Sequence, residues 1–165
     1  FTKAAANYAI SMKAQEVAEE QGYAQVLWLD GVHRKYIDEV GAMNVFFVVD
    51  GEVITPSLDR GCILGGITRK SCIELLRHMG YKVTERDIEI GELVKAYDEG
   101  KFDGEAFGSG TAAVISPIGE LKYGDKHMVI NDGKIGPISQ KLYDTLTGIQ
   151  WGRLPDEFGW TVKVD

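Results

Sequence analysis

Apolar residues recur at helical spacing near both ends of this chain and at strand spacing between them. Over residues 3–21 an alanine-rich stretch carries Ile10, Ala14, Val17 and Ala18 on one stripe, and Gly22 is a natural C-terminal stop. The apolar run over residues 24–29, which includes Val26, Leu27, Trp28 and Leu29, predicts a buried strand closed by an Asp30-Gly31 turn. A second strand follows over residues 36–40. Next comes a hairpin, with residues 45–49 and 53–55 flanking Asp50-Gly51.

Thr68 opens a predicted helix through Ile73, Leu76 and Met79 that ends at Gly80. Val83 begins a short strand, and residues 90–97 form another helix stopped near Gly100. Strands are predicted over residues 112–118, 121–123 and 128–130. Pro137 suits the first turn of a last helix with Ile138, Leu142, Leu146 and Ile149 on one face. No internal repeat or low-complexity linker interrupts this order. Strands and helices mix without a strict βαβ rhythm, so the expected class is α/β with a mixed sheet, open or curled into a barrel.

The length of 165 residues suits one domain with a sizeable core. A net charge of −7 argues against nucleic acid or an anionic membrane as partner, although a single anionic site needs few positive groups. No apolar run approaches the length of a membrane span, and no signal-peptide pattern opens the chain. Cys62 and Cys72 form no CxxC pair and read as reduced, buried thiols. The expected compartment is the cytoplasm.

Four places carry candidate chemistry, each with a plainer reading beside it. Lys3, among small neighbours, becomes a nucleophile toward an aldehyde if its amine is desolvated; otherwise it is a residue of a first helical turn. Tyr8, five residues on, faces the same ligand if the helix begins after Lys3. Glu39, at the end of a predicted strand and before Gly41-Ala42, asks for a partner such as a protonated pyridine nitrogen, unless it faces solvent. In Gly65-Gly66-Ile67-Thr68-Arg69 two glycines precede a helix, which suits a phosphate cradle as well as a tight turn. Gly108-Ser109-Gly110-Thr111-Ala112-Ala113 reads as a glycine turn into a strand, offering backbone N–H groups to a carboxylate or phosphate, or as a plain loop. The three histidines have no metal spacing, residues 98–103 read as a solvated loop, and no GxSxG is present.

Taken together these residues resemble the branched-chain aminotransferases, fold-type IV enzymes that use pyridoxal 5′-phosphate. Lys3-x-x-Ala6-Asn7-Tyr8-Ala9 is similar to the family's Schiff-base segment, and the run from Tyr36 through Glu39 and Asn44 to Phe46 to its pyridine-nitrogen strand. Leu64-Gly65-Gly66-Ile67-Thr68-Arg69 resembles the phosphate cup, Phe107 to Ala113 the substrate-carboxylate turn, and Ile149-Gln150-Trp151-Gly152 the closing segment. The resemblance implies that Lys3 holds the cofactor aldehyde and shuttles the Cα proton. It implies that Glu39 pairs with the ring nitrogen, Tyr8 contacts the phenolic oxygen, and Leu64 packs on the ring. Ile67, Thr68 and Thr111 would bind phosphate, Thr111 and Ala112 would receive the substrate carboxylate, and Ala42 would border the substrate.

The implied reaction moves the amino group of leucine, isoleucine or valine to 2-oxoglutarate, giving 2-keto acids and glutamate, in a homodimer. The implied fold is a mixed sheet curled into a barrel-like large domain over residues 1–165, with the family's N-terminal small domain absent and activity of this piece alone weak. Two departures stand out: Ala5-Ala6 replaces a common Gly-Gly, and Ala113-Val114-Ile115-Ser116 replaces the redox CxxC of mammalian members. A D-amino acid aminotransferase or an aminodeoxychorismate lyase would share the lysine and the phosphate cup. A non-catalytic domain binding a phosphorylated ligand would share only the cup.

Overall fold

The computed structural model describes residues 3–164. Its centre is a five-stranded mixed sheet in the order β5-β4-β3-β6-β7. The strands are β3 (Asn44–Val49), β4 (Glu52–Pro56), β5 (Val83–Arg86), β6 (Phe102–Gly110) and β7 (Val114–Pro117). β3 pairs antiparallel with β4 across the Asp50-Gly51 turn, and antiparallel with β6 in a register that sets Phe46 opposite Phe107. Only β4 and β5 run parallel, because helix α3 (Ile67–His78) carries the chain across the sheet between them. Two antiparallel ribbons flank the sheet: β1 (Leu27–Leu29) with β2 (Ile37–Val40), and β8 (Glu120–Tyr123) with β9 (Lys126–Val129).

Alternate residues of β3 feed two separate cores, which is why its sequence reads as an unbroken apolar run. Phe46 and Val48 join Phe107, Leu75 and Leu76 of α3, and Leu142 and Leu146 of α5 (Pro137–Gln150). Val45 and Phe47 join Ile54, Ala106, Leu93 of α4 (Ile90–Asp98), and Leu121 and Met128 of the second ribbon. The α/β class and mixed sheet are therefore as expected. A barrel is not formed: among the described strands the main sheet ends at β5 and β7, and neither ribbon closes it. Among the described residues no helix is long and apolar enough to cross a membrane.

Three elements differ from expectation. The helix expected over residues 3–21 is two, α1 (Ala5–Ala9) and α2 (Met12–Glu20), and neither buries a residue. At the break the Ser11 hydroxyl donates to the Tyr8 carbonyl at 2.6 Å, competing with regular helix bonding. The strand expected over residues 24–29 is shortened to Leu27–Leu29 and is half-buried.

The largest departure is β6. Residues 98–103 read as a solvated loop and residues 108–113 as a glycine turn, yet Phe102–Gly110 forms a nine-residue strand beside β3. Its three glycines and Glu105 conceal the strand pattern. Gly108 and Gly110 make room for Met43, whose side-chain atoms lie 2.9 and 3.3 Å from where their Cβ atoms would stand. Glu105 is buried because it caps α5, accepting from the N–H groups of Ile138 and Ser139 at 2.7 and 2.8 Å and from the Ser139 hydroxyl at 2.8 Å.

Candidate active site

Glu39 sits near the end of β2, and the first ribbon fixes where that strand stops. Gly41 follows with φ +56°, a left-handed conformation that disfavours a side chain, and the Gln25 side chain fills the space a Cβ would need. Its N–H donates to the Val26 carbonyl at 2.8 Å, and its carbonyl accepts the Trp28 indole N–H at 2.9 Å. Val40 and Met43 exchange both backbone bonds at 2.9 Å, closing a tight turn into β3. The position of the Glu39 backbone is thus set from both sides.

The Glu39 carboxylate is half-buried and faces two neutral donors. One is the Leu64 backbone N–H, and the other is Asn44 Nδ2 at 3.3 Å. Burial pushes this carboxyl above its ordinary value; the Leu64 N–H opposes the rise and the nearby Asp38 charge adds to it. Among the described residues no cation pairs with Glu39. The neighbouring Arg60 is committed to Asp38 at 2.6 Å and Asp87 at 2.9 Å. A half-buried carboxylate with neutral donors only suits a cationic ligand atom.

Glu39 faces a pocket of about 360 Å³. Tyr8 and Asn7 of α1 line it together with Ala42, Leu64, Trp28 and Cys62. Cys62 is exposed here, contrary to the expected burial, because the chain between β4 and α3 runs over the surface at this point; Cys72 is buried in α3 as expected. A larger groove of about 980 Å³ runs between α2 and the β7–β8 connection and holds none of the expected site residues.

Beside Leu64, helix α3 begins at Ile67 with Gly66 as its cap residue, one residue earlier than the expected opening at Thr68. Gly66 has no side chain to cap this end, and among the described residues no side chain is seen accepting from its first-turn N–H groups, which suits an anion. Ile67 is 81% exposed and Thr68 half-buried. Gly66 lies so close to the Asn44 side chain that a Cβ would collide with Oδ1, and a Cβ on Gly65 would stand only 3.2 Å from Leu58 Cδ1.

The pocket thus brings together Tyr8, Glu39, Ala42 and Leu64 of the expected set. Lys3, Ile67, Thr68, Thr111 and Ala112 do not line it. Lys3 is exposed ahead of α1, and Thr111 and Ala112 occupy the exposed turn between β6 and β7. The two glycines expected to offer N–H groups, Gly108 and Gly110, instead lie within β6 and pair with Ser116 and Val114. Sequence reasoning shows Trp28 only as a strand residue and Asn44 only as a member of the run from Tyr36 to Phe46. The signal for Asn44 is its place five residues after Glu39 across a Gly-Ala turn, a spacing that folds it back onto the carboxylate. The histidines are exposed, and among the described residues no group of three or more His, Cys, Asp or Glu could hold a metal.

The family model described as "Amino-transferase class IV" matches residues 3–121. "Branched-chain-amino-acid aminotransferase 2" of Bacillus subtilis (strain 168) is 59% identical over 162 residues, 98% of this chain and 44% of that protein. Among solved structures, the branched-chain amino acid aminotransferase of Escherichia coli aligns with TM-score 0.78 and 31% identity over 96% of this chain and 48% of that one. The branched-chain amino acid aminotransferase of the thermophilic archaeon Thermoproteus uzoniensis, solved with norvaline, aligns with TM-score 0.75 and 34% identity over 92% and 46%. The chain spans about half the length of the relatives it matches.

Proposed function

Because this chain belongs to the class IV amino-transferase family, we propose that it is the cofactor-binding domain of a branched-chain amino acid transaminase. The reaction is transfer of the amino group of leucine, isoleucine or valine to 2-oxoglutarate, giving 2-keto acids and glutamate, with pyridoxal 5′-phosphate as cofactor. Glu39 is the observation that carries this reading: a half-buried carboxylate facing a pocket, held by two neutral donors, with no cation paired to it among the described residues. A protonated ring nitrogen supplies the missing charge, and the uncapped start of α3 next to Leu64 suits the phosphate.

When bound, the cofactor supplies an electron sink for charge released at the substrate Cα. Glu39 keeps the ring nitrogen protonated, and Leu64 covers a ring face and excludes water. The Tyr8 hydroxyl donates to the phenolic oxygen. N–H groups of Ile67 and Thr68, with Thr111, hold the phosphate. Backbone N–H groups of Thr111 and Ala112 receive the substrate carboxylate, and Ala42 borders the substrate. Lys3 anchors the aldehyde and moves the Cα proton, a general-base role worth about 10²–10⁴-fold. Lys3 is exposed ahead of α1 and is not among the residues lining the pocket.

On this reading residues 1–165 form the large domain, whose three sheets belong to one barrel-like layer in the complete enzyme. That enzyme is a cytoplasmic homodimer with a further small domain that completes the substrate pocket.

The test is glutamate formation by the full-length protein from 2-oxoglutarate and L-leucine, L-isoleucine or L-valine, with D-alanine as a competing amino donor and pyruvate release from aminodeoxychorismate measured alongside. Turnover restricted to the branched L-amino acids is expected. Preference for either competitor would transfer the site to another branch of the family. Borohydride reduction should leave the cofactor's mass on the peptide holding Lys3, and an unmodified Lys3 peptide would overturn its role.

A further inference from the structure

We propose that Asn44 is a positioning residue that sets the direction and ionisation of Glu39 toward the cofactor ring; this rests on the transaminase reading above. Asn44 opens β3, is only 6% exposed, and sits opposite Ser109 of β6. Its amide nitrogen has two hydrogens and the structure gives each an acceptor: Glu39 Oε1 at 3.3 Å and the Leu64 carbonyl at 2.9 Å. The Leu64 N–H in turn faces the Glu39 carboxylate and favours its ionised form. Glu39, Asn44 and Leu64 therefore form a ring of contacts, two of them hydrogen bonds from Asn44, that joins the β2 exit to the segment entering α3.

The chemistry of the donor matters as much as its place. A lysine or arginine here would neutralise Glu39 and remove the charge a ring nitrogen needs. An aspartate would place a second negative charge against it and favour its protonation. An amide stabilises the ionised carboxylate while leaving its charge for the ligand. Glutamine is too long, because Gly66 already lies against Asn44 Oδ1. The ring also places the cap residue of α3 at a fixed offset from Glu39, so one side chain sets the nitrogen-facing and phosphate-facing groups together.

The experiment uses pyridoxamine 5′-phosphate, which cannot form a covalent bond with Lys3, and its 1-deaza analogue, which lacks the ring nitrogen. Dissociation constants are measured for full-length protein, Asn44→Ala, Glu39→Gln and the double variant. Asn44→Ala should weaken pyridoxamine 5′-phosphate about tenfold, the size expected for a hydrogen bond to a charged group. It should leave the deaza analogue unchanged and add no loss in the Glu39→Gln background. Equal weakening of both ligands, or losses that add in the double variant, would overturn the proposal.

If the parent and Glu39→Gln both fail to discriminate the two ligands, the pyridine contact itself is wrong and the transaminase reading falls instead. Should Asn44→Ala not fold, Asn44→Leu keeps the approximate shape without donors or added charge and carries the same expectation. Failure of both to fold would make the residue structural and sink the proposal.

Discussion

Glu39 and Tyr8 line one pocket, and the elements behind them are held in different ways. Behind Glu39, Ile37 and Val45 are fully buried and Asn44 nearly so, and the turn is closed by backbone bonds from both flanking strands. Behind Tyr8, α1 and α2 bury no residue, and Ile10 and Met12 are 84% and 70% exposed. The carboxylate side is preorganised by the core. The side bearing Tyr8 and Lys3 belongs to the low-stability end of the molecule, the class of segment that closes over a ligand. Perturbations on the two sides should therefore report on different equilibria, global unfolding for one and local opening for the other.

The largest effect is expected at Glu105, far from the pocket but in the strand that supports β3. Glu105→Ala strips three hydrogen bonds from a buried site and leaves the N–H groups of Ile138 and Ser139 without their acceptor. A loss of about 3 kcal/mol is expected, which at this chain length lowers the thermal midpoint by about 6–12 °C. Urea melts followed by circular dichroism would check it. A change under about 1 kcal/mol would mean that water replaces the cap without cost.

A smaller loss, with a local signature, should follow Gly66→Ala. The new Cβ collides with the Asn44 side chain, which must leave its bonds to Glu39 and Leu64. Overpacking of this kind costs about 1–3 kcal/mol, and pyridoxamine 5′-phosphate binding should weaken with it. Intact binding would show that the Asn44 ring is not needed to shape the pocket.

Glu39→Gln gives a pH-dependent change of opposite sign. Burial raises the Glu39 carboxyl in the folded chain, so its protonated form favours folding. That contribution is complete below its ordinary value, about pH 4, and is lost as pH rises through the raised folded value. The ligand-free variant should match the parent at pH 4 and exceed it modestly at pH 7, well below the Glu105 effect. Equal stability at both pH values would mean that solvent fully screens the carboxylate.

These regions also differ in how far the sequence alone discloses them. The hairpin of β3 and β4 and the helices α3, α4 and α5 follow from periodicity and glycine punctuation because their apolar faces meet a core. β6 escapes because its glycines serve Met43 and its glutamate serves α5, partners distant in sequence that no local pattern contains. The N-terminal helix is shorter than its pattern suggests, since a stripe of Ile10, Ala14 and Val17 promises burial that this fold does not provide. At the site, Glu39 and Leu64 are legible as motif residues. Asn44 is visible only as a letter in the same motif, because its role depends on where residue 64 returns. For Lys3, Thr111 and Ala112 the motif names a function that the pocket around Glu39 does not enclose.

The smallest effect should come from the ties that hold α2 to the body. Gln15 donates to the Ala24 carbonyl at 2.6 Å, and the Tyr23 hydroxyl donates to Glu120 at 3.2 Å, where His127 also contacts the carboxylate at 2.7 Å. The Lys122 ammonium lies 5.8 Å from the Tyr23 ring centroid, a contact that phenylalanine would keep. Tyr23→Phe therefore removes the hydroxyl's contacts with Glu120 and His127 and little else. Because the tie is exposed and α2 buries nothing, the global melt should not move. Amide exchange should quicken across residues 12–20 while residues 67–78 of α3 keep their protection. Equal loss of protection in α3 would mean that the outer helix is coupled to the core, and the contrast between the two walls of the pocket would fail. Unchanged exchange in residues 12–20 would place the restraint on α2 elsewhere, with the Gln15 bond to Ala24 as the next contact to remove.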